Sequence, residues 1–176
     1  MSETESAEAT LPTSPEALLA RLEELGITAQ TVTHPPVFTV EEAKALRGEL
    51  PGSHIKNLFL RNKKGRMWLV TCLEDREVDL KALGQRLEAG RFSFGSAERL
   101  MTYLGVLPGS VTPFAVINDK NHEVTMVLDT GVMDGGPVNC HPLVNTMTTA
   151  VSPENLVRFL EAEGHAPQML DMGAAG

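Results

Sequence analysis

Apolar residues recur along the chain at two spacings, and the switches between them mark out its elements. Leu18, Leu19, Leu22 and Leu25 fall at helical intervals behind Ser14-Pro15-Glu16. There a serine suits the cap and a proline the first turn, and Gly26 is a stop signal. Ser152-Pro153-Glu154 repeats the device and predicts a last helix to about Glu163, ended by Gly164. Thr39-Val40-Glu41-Glu42 is a capping box for a short helix ending near Gly48. Asp79 predicts a helix through Leu87, and Ser96 one through Leu104 that Gly105 closes.

Between the helices lie strand-like runs. Residues 27–33 are rich in β-branched side chains and stop at His34-Pro35-Pro36. After the turn Pro51-Gly52, residues 54–61 and 67–73 read as two strands joined by Asn62-Lys63-Lys64-Gly65, with Gly65 free to take a positive φ. Residues 113–118 and 123–128 read as strands around a turn at 119–122, and residues 138–140 and 146–151 as two more. Hairpins are frequent and no strict β-α-β alternation occurs. The expected fold class is α+β: a single domain with a mixed sheet and flanking helices over residues 14–170. Residues 1–13 are expected to form a flexible acidic tail and residues 171–176 a loose one.

Composition narrows the class. Apolar residues make up 42% and charged residues 22% of 176, the profile of a globular protein with a real core. No apolar run approaches the roughly 20 residues that span a bilayer, so no membrane partner is expected. Met1 to Thr10 holds Glu3, Glu5 and Glu8 and no basic residue, which is unlike a secretory leader. Cys72 and Cys140 stand far apart, so a disulfide framework is not expected and a reducing cytoplasm is the default. A net charge of −8 argues against coating nucleic acid by bulk attraction. Yet residues 51–72 contain no acid, while Lys56, Arg61, Lys63, Lys64 and Arg66 all fall there.

Three features offer chemistry. On strand 54–61 the alternation of faces puts His54, Lys56, Leu58 and Leu60 together, and a lysine beside two leucines is unusual. The plain alternative is an edge lysine lying over apolar surface. In Leu107-Pro108-Gly109-Ser110-Val111-Thr112-Pro113-Phe114, two prolines bracket a glycine and two hydroxyls. The loop is stiff but admits close approach to Gly109, and amides in such a turn can donate to a carbonyl or phosphate oxygen. In Asn139-Cys140-His141-Pro142-Leu143-Val144-Asn145-Thr146, a histidine has amides and a hydroxyl nearby. No zinc-type spacing, P-loop, G-x-G-x-x-G or G-x-S-x-G occurs, so neither metal nor cofactor is expected.

Together and in order, these stretches resemble the prolyl-tRNA editing family, the fold shared by YbaK-type deacylases and the editing insertion of bacterial prolyl-tRNA synthetases. The corresponding segments are His54-Ile55-Lys56-Asn57-Leu58-Phe59-Leu60, Trp68-Leu69-Val70, Val78-Asp79-Leu80-Lys81 and Leu104-Gly105. The Gly109 loop, His141-Pro142-Leu143-Val144-Asn145-Thr146 and Gly164-His165-Ala166-Pro167 complete them. The match is nearest to the free-standing alanyl-tRNA(Pro) deacylases. The resemblance implies a hydrolase that clears mischarged tRNA(Pro), chiefly Ala-tRNA(Pro), by water attack on the aminoacyl ester. It implies Lys56 as the catalytic residue, with Asn57, Gly109, Ser110, Val111, Thr112, Pro113 and His141 against the substrate. Lys63, Lys64 and Arg91 are expected at the acceptor end of tRNA(Pro), and a transient contact with prolyl-tRNA synthetase is left open. The alternatives are a deacylase of another species such as Cys-tRNA(Pro), or a non-catalytic module that binds tRNA or a synthetase.

The physical logic agrees. A pocket shaped for proline cannot strongly reject a smaller amino acid, because a missing methylene is worth only about 1–3 kcal/mol. A second, smaller site can admit alanine and hydrolyse it. A lysine acting as base at neutral pH would have to fall from about 10.4 to near 7, which demands deep burial. As a cation it needs no such change, and that role is expected of Lys56.

Overall fold

The computed structural model describes residues 11–36, 45 and 51–173. The helix expected from Thr39 to about Gly48 lies, apart from Ala45, outside the described residues. Helices α1 (Pro15–Glu24), α2 (Leu80–Arg86), α3 (Ala97–Leu104) and α4 (Pro153–Ala162) begin where the caps predicted. Ser14, Ser96 and Ser152 each accept an amide three residues on, and Asp79 accepts those of Lys81 and Ala82. Gly105 closes α3 at φ +63°, a left-handed turn that a side chain would strain.

Strands β1 (Gln30–Thr33), β2 (Ser53–Arg61), β3 (Met67–Leu73), β4 (Ser93–Phe94), β5 (Val124–Asp129), β6 (Val138–Cys140), β7 (Met147–Val151) and β8 (Gln168–Leu170) form one sheet. Its order is β1-β7-β6-β2-β3-β5-β8, with β4 added along β2. The pairs β2–β6, β3–β5 and β5–β8 are parallel and the rest antiparallel, so the sheet is mixed, as expected. The two-residue β4 and three-residue β8 are too short to show a period in the sequence.

One expectation fails. Pro113–Asn118 is a 3-10 helix, not a strand. The Thr112 hydroxyl accepts the Phe114 amide at 3.3 Å, and Pro113 fixes the first φ. Its first four residues are all buried, so no alternation marks the segment, and an apolar run alone does not separate helix from strand.

The sheet separates two cores. On one side Phe59, Met67 and Leu69 meet Leu18 and Leu22 of α1, Leu100 and Leu104 of α3, and Leu156, Phe159 and Leu160 of α4. Phe114 packs edge-on against Phe159 at 5.3 Å, and burying such a ring contributes roughly 1.5–3 kcal/mol. On the other side Leu60, Trp68 and Val70 pack with Leu83 of α2 and with Phe92. β3 is thus covered on both faces, which explains its apolar sequence, interrupted only by Thr71. β2 is buried at Phe59 and Leu60 but only half-buried from His54 to Leu58, and the chemistry sits on that open half.

Candidate active site

Lys56 and Asn57 are consecutive on β2 and therefore point to opposite faces. Lys56 lies opposite Cys72 of β3, on the face of the smaller core, and its ammonium donates to the Arg76 carbonyl. That carbonyl belongs to the turn after β3. Arg76 in turn donates through Nε to Asp129 Oδ2 at 3.0 Å, and the Asp129 carboxylate, fully buried, also accepts the amides of Leu73 and Gly131. Burial pushes the Asp129 carboxyl up, but the Arg76 guanidinium and the two amides outweigh it and hold it below the usual carboxylate range.

Asn57 serves the other face. Its Oδ1 accepts the Thr71 hydroxyl at 2.6 Å and its Nδ2 donates to the Val111 carbonyl at 3.1 Å. The amide thus ties the Gly109 loop to the middle of the sheet. In that loop Pro108 and Gly109 occupy the centre of a turn closed by the Ser110 amide on the Leu107 carbonyl at 3.0 Å. Gly109 sits at φ +90°, the conformation a Pro-Gly turn demands, and is exposed. Ser110, Thr112 and Pro113 are buried, so the loop offers solvent Pro108, Gly109 and Val111. Of the five loop residues expected against the substrate, Gly109 and Val111 are the accessible ones.

His141 follows β6. Its Nδ1 meets the Met147 carbonyl at 3.0 Å; a carbonyl only accepts, so Nδ1 carries the proton and Nε2 is left with a lone pair. Burial lowers its pKa, against a smaller pull upward from that carbonyl, and the neighbouring His34 lowers it further. The imidazole is therefore neutral at pH 7. The His34 ring lies 6.3 Å away, fixed by Thr148 Oγ1 at 2.8 Å and the Pro35 carbonyl at 2.8 Å. Within the His141 loop Leu143 is buried at φ +72°, a strained setting for a branched side chain and common beside functional sites. Asn145 Nδ2 lies 3.6 Å from where a Gly109 Cβ would stand, so this loop reaches the Gly109 loop.

The basic candidates stand apart. Lys63 and Lys64 are exposed at the tip of the β2–β3 hairpin, about 17 Å from Lys56 to the end of β2 at strand rise. Arg91 is exposed and, with Lys81, lines a cavity of about 640 Å³ against Leu80 and Phe92. Both cysteines are inert: burial pushes Cys72 up to about 11 and raises Cys140 further still, so both remain thiols at neutral pH. His34, Arg76, Asp129 and Thr148 were not singled out in the sequence, because their partners lie far along the chain; only Asp129, an acid ending an apolar strand before Thr-Gly, carried a local sign.

Comparison with known proteins decides the family. Residues 34–159 match the model of the aminoacyl-tRNA editing domain. The chain belongs to this family. The span holds Lys56, the Gly109 loop and His141 together. The chain is 36% identical over 158 residues to the prolyl-tRNA editing protein ProX of Acetoanaerobium sticklandii, covering 89% of this chain and 96% of that one. It is 40% identical over 151 residues to the prolyl-tRNA synthetase associated domain-containing protein 1 of Danio rerio, covering 85% and 82%. In fold it is similar to a crystal structure proposed to be that of a trans-editing enzyme for prolyl tRNA synthetase, with a TM-score of 0.68 at 22% identity over 89% of this chain and 94% of that one. The editing domain is thus a hydrolase of the aminoacyl-tRNA deacylase type. Among its described residues no helix is long and apolar enough to cross a membrane.

Proposed function

We propose that the protein hydrolyses mischarged tRNA(Pro) in trans, with alanine as the amino acid removed, in the cytoplasm and through residues 14–170. The observation that supports this most is the pairing on β2: a lysine anchored by a carbonyl on one face, next to an asparagine that fixes the Gly109 loop on the other. The first supplies a fixed positive charge, the second a shaped wall.

In the proposed step a water oxygen attacks the ester carbonyl carbon. The bond to the terminal ribose oxygen breaks, the amino acid leaves as its carboxylate, the ribose oxygen takes one proton of the water, and the other passes to solvent. Lys56 as a cation holds the terminal phosphate or polarises the ester, where charge develops. The neighbouring ribose hydroxyl of the substrate relays the proton of the attacking water, as the family resemblance implies. Gly109 lets the ester end approach main chain closely, and neutral His141 shapes the pocket and orients the amino acid. An aminoacyl ester is already reactive, so a tight pocket matters more than a strong nucleophile.

Lys63, Lys64 and Arg91 are assigned to phosphates of the acceptor end, with weak and salt-sensitive binding expected of a chain at −8. Contact with the synthetase is expected to be transient. The test is turnover on a panel of mischarged tRNAs. Preferred hydrolysis of Ala-tRNA(Pro) supports the reading; preference for Cys-tRNA(Pro) replaces the amino acid, and binding without turnover on any species overturns the enzyme assignment.

A further inference from the structure

We propose that Asp129 and Arg76 are positioning residues for Lys56: the carboxylate locks the guanidinium, and the locked turn presents the carbonyl that holds the lysine ammonium. The inference rests on the reading of Lys56 as the cation of the site.

The turn is fastened at every step. The Glu74 amide donates to the His54 carbonyl at 2.9 Å and the Arg76 amide to the Leu73 carbonyl at 3.1 Å. The Arg76 side chain is then drawn back onto Asp129 at 3.0 Å. Asp129 also takes the amides of Leu73 at 3.2 Å, Gly131 at 3.0 Å and Met172 at 3.4 Å, so its carboxylate joins the end of β3, the end of β5 and the segment after β8. Space for the guanidinium depends on two glycines. A Cβ at Gly131 would collide with Arg76 Nη2, and one at Gly173 would come within 2.7 Å of Nη1. A cavity of about 440 Å³, lined by Gly52, Ser53, His54 and the turn from Leu73 to Arg76, opens beside this anchor.

Charge explains why the anchor is indirect. A carboxylate bonded to Lys56 itself would cancel the charge that the substrate needs. Here the buried Asp129 carboxylate is already covered by Arg76, and the lysine meets a neutral carbonyl dipole instead. Its long side chain, with many rotamers to lose, is held before substrate arrives. Among the described residues one of its three donors is used, on the Arg76 carbonyl, and the proposal assigns the others to the substrate.

The test uses the full chain with Arg76→Ala, Arg76→Lys and Asp129→Asn, read by single-turnover deacylation and by the slowly exchanging ammonium ¹⁵Nζ signal of Lys56, assigned through its loss in Lys56→Arg. Arg76→Ala is expected to lower the rate about tenfold to a hundredfold, as small misplacements do, and to abolish the Lys56 signal. Arg76→Lys should restore part of both. If Asp129→Asn fails to fold, Arg76→Ala decides alone. A folded Arg76→Ala protein with the Lys56 signal intact overturns the proposal, whether its rate is unchanged or reduced. Full activity of Lys56→Ala would instead remove the reading on which the proposal rests.

Discussion

The two faces of β2 at Lys56 and Asn57 solve different problems one residue apart. On the lysine face the anchor is electrostatic: a cation held by a carbonyl, with an ion pair of Arg76 and Asp129 behind it. On the asparagine face the anchor is neutral and geometric: one amide bridging a β3 hydroxyl and a loop carbonyl. Under the proposed function, the contrast would let a single strand serve rate and selectivity separately. Losing charge on one side should stop chemistry, whereas loosening the other should blur what the pocket admits.

The largest effect should come from the lysine face. Lys56→Ala is expected to cut turnover by roughly 10²–10³, while Lys56→Arg keeps some tRNA binding because the positive charge remains; filter binding and rate measured on the same preparations separate the two. Next comes Asn57→Ala, which leaves the Val111 carbonyl and the Thr71 hydroxyl without their partner. It should cost about 1–3 kcal/mol in unfolding and roughly tenfold in selectivity for alanine over proline. A selectivity that stays put while stability falls would break the comparison.

His141 should come third. Its folded pKa lies below the ordinary imidazole value, so the unfolded chain binds the proton first as pH falls. The stability contributed by the neutral ring is therefore complete above about pH 6.5 and lost below it. Thermal unfolding followed across that range should show the decline, and His141→Gln should flatten it. His141→Ala should change amino-acid preference without lowering the rate on alanine. The smallest effect belongs to the hairpin tip: Lys63→Ala with Lys64→Ala should weaken tRNA binding a few-fold and lower the salt slope by about one per lysine that touches phosphate.

Helix starts were legible because capping is local: Ser14, Asp79, Ser96 and Ser152 each bond an amide two or three residues on. The β2–β3 hairpin was legible because Gly65 takes the positive φ its turn needs. Pro113–Asn118 was misread because uniform burial hides its period. Of the site, Lys56, the Gly109 loop and His141 were marked by motif, but their partners were not. Arg76 and Asp129 stand 53 residues apart, and His34 and Thr148 stand 114 apart. Such pairs exist only once the sheet has formed.

The most direct measurement is single-turnover deacylation of Ala-tRNA(Pro) with Lys56→Ala at saturating enzyme, so that chemistry is read apart from binding. Loss of a fixed cation at the developing charge predicts a fall of roughly 10²–10³ in rate, in a protein that unfolds at the wild-type temperature. Hydrolysis at the wild-type rate would contradict the account.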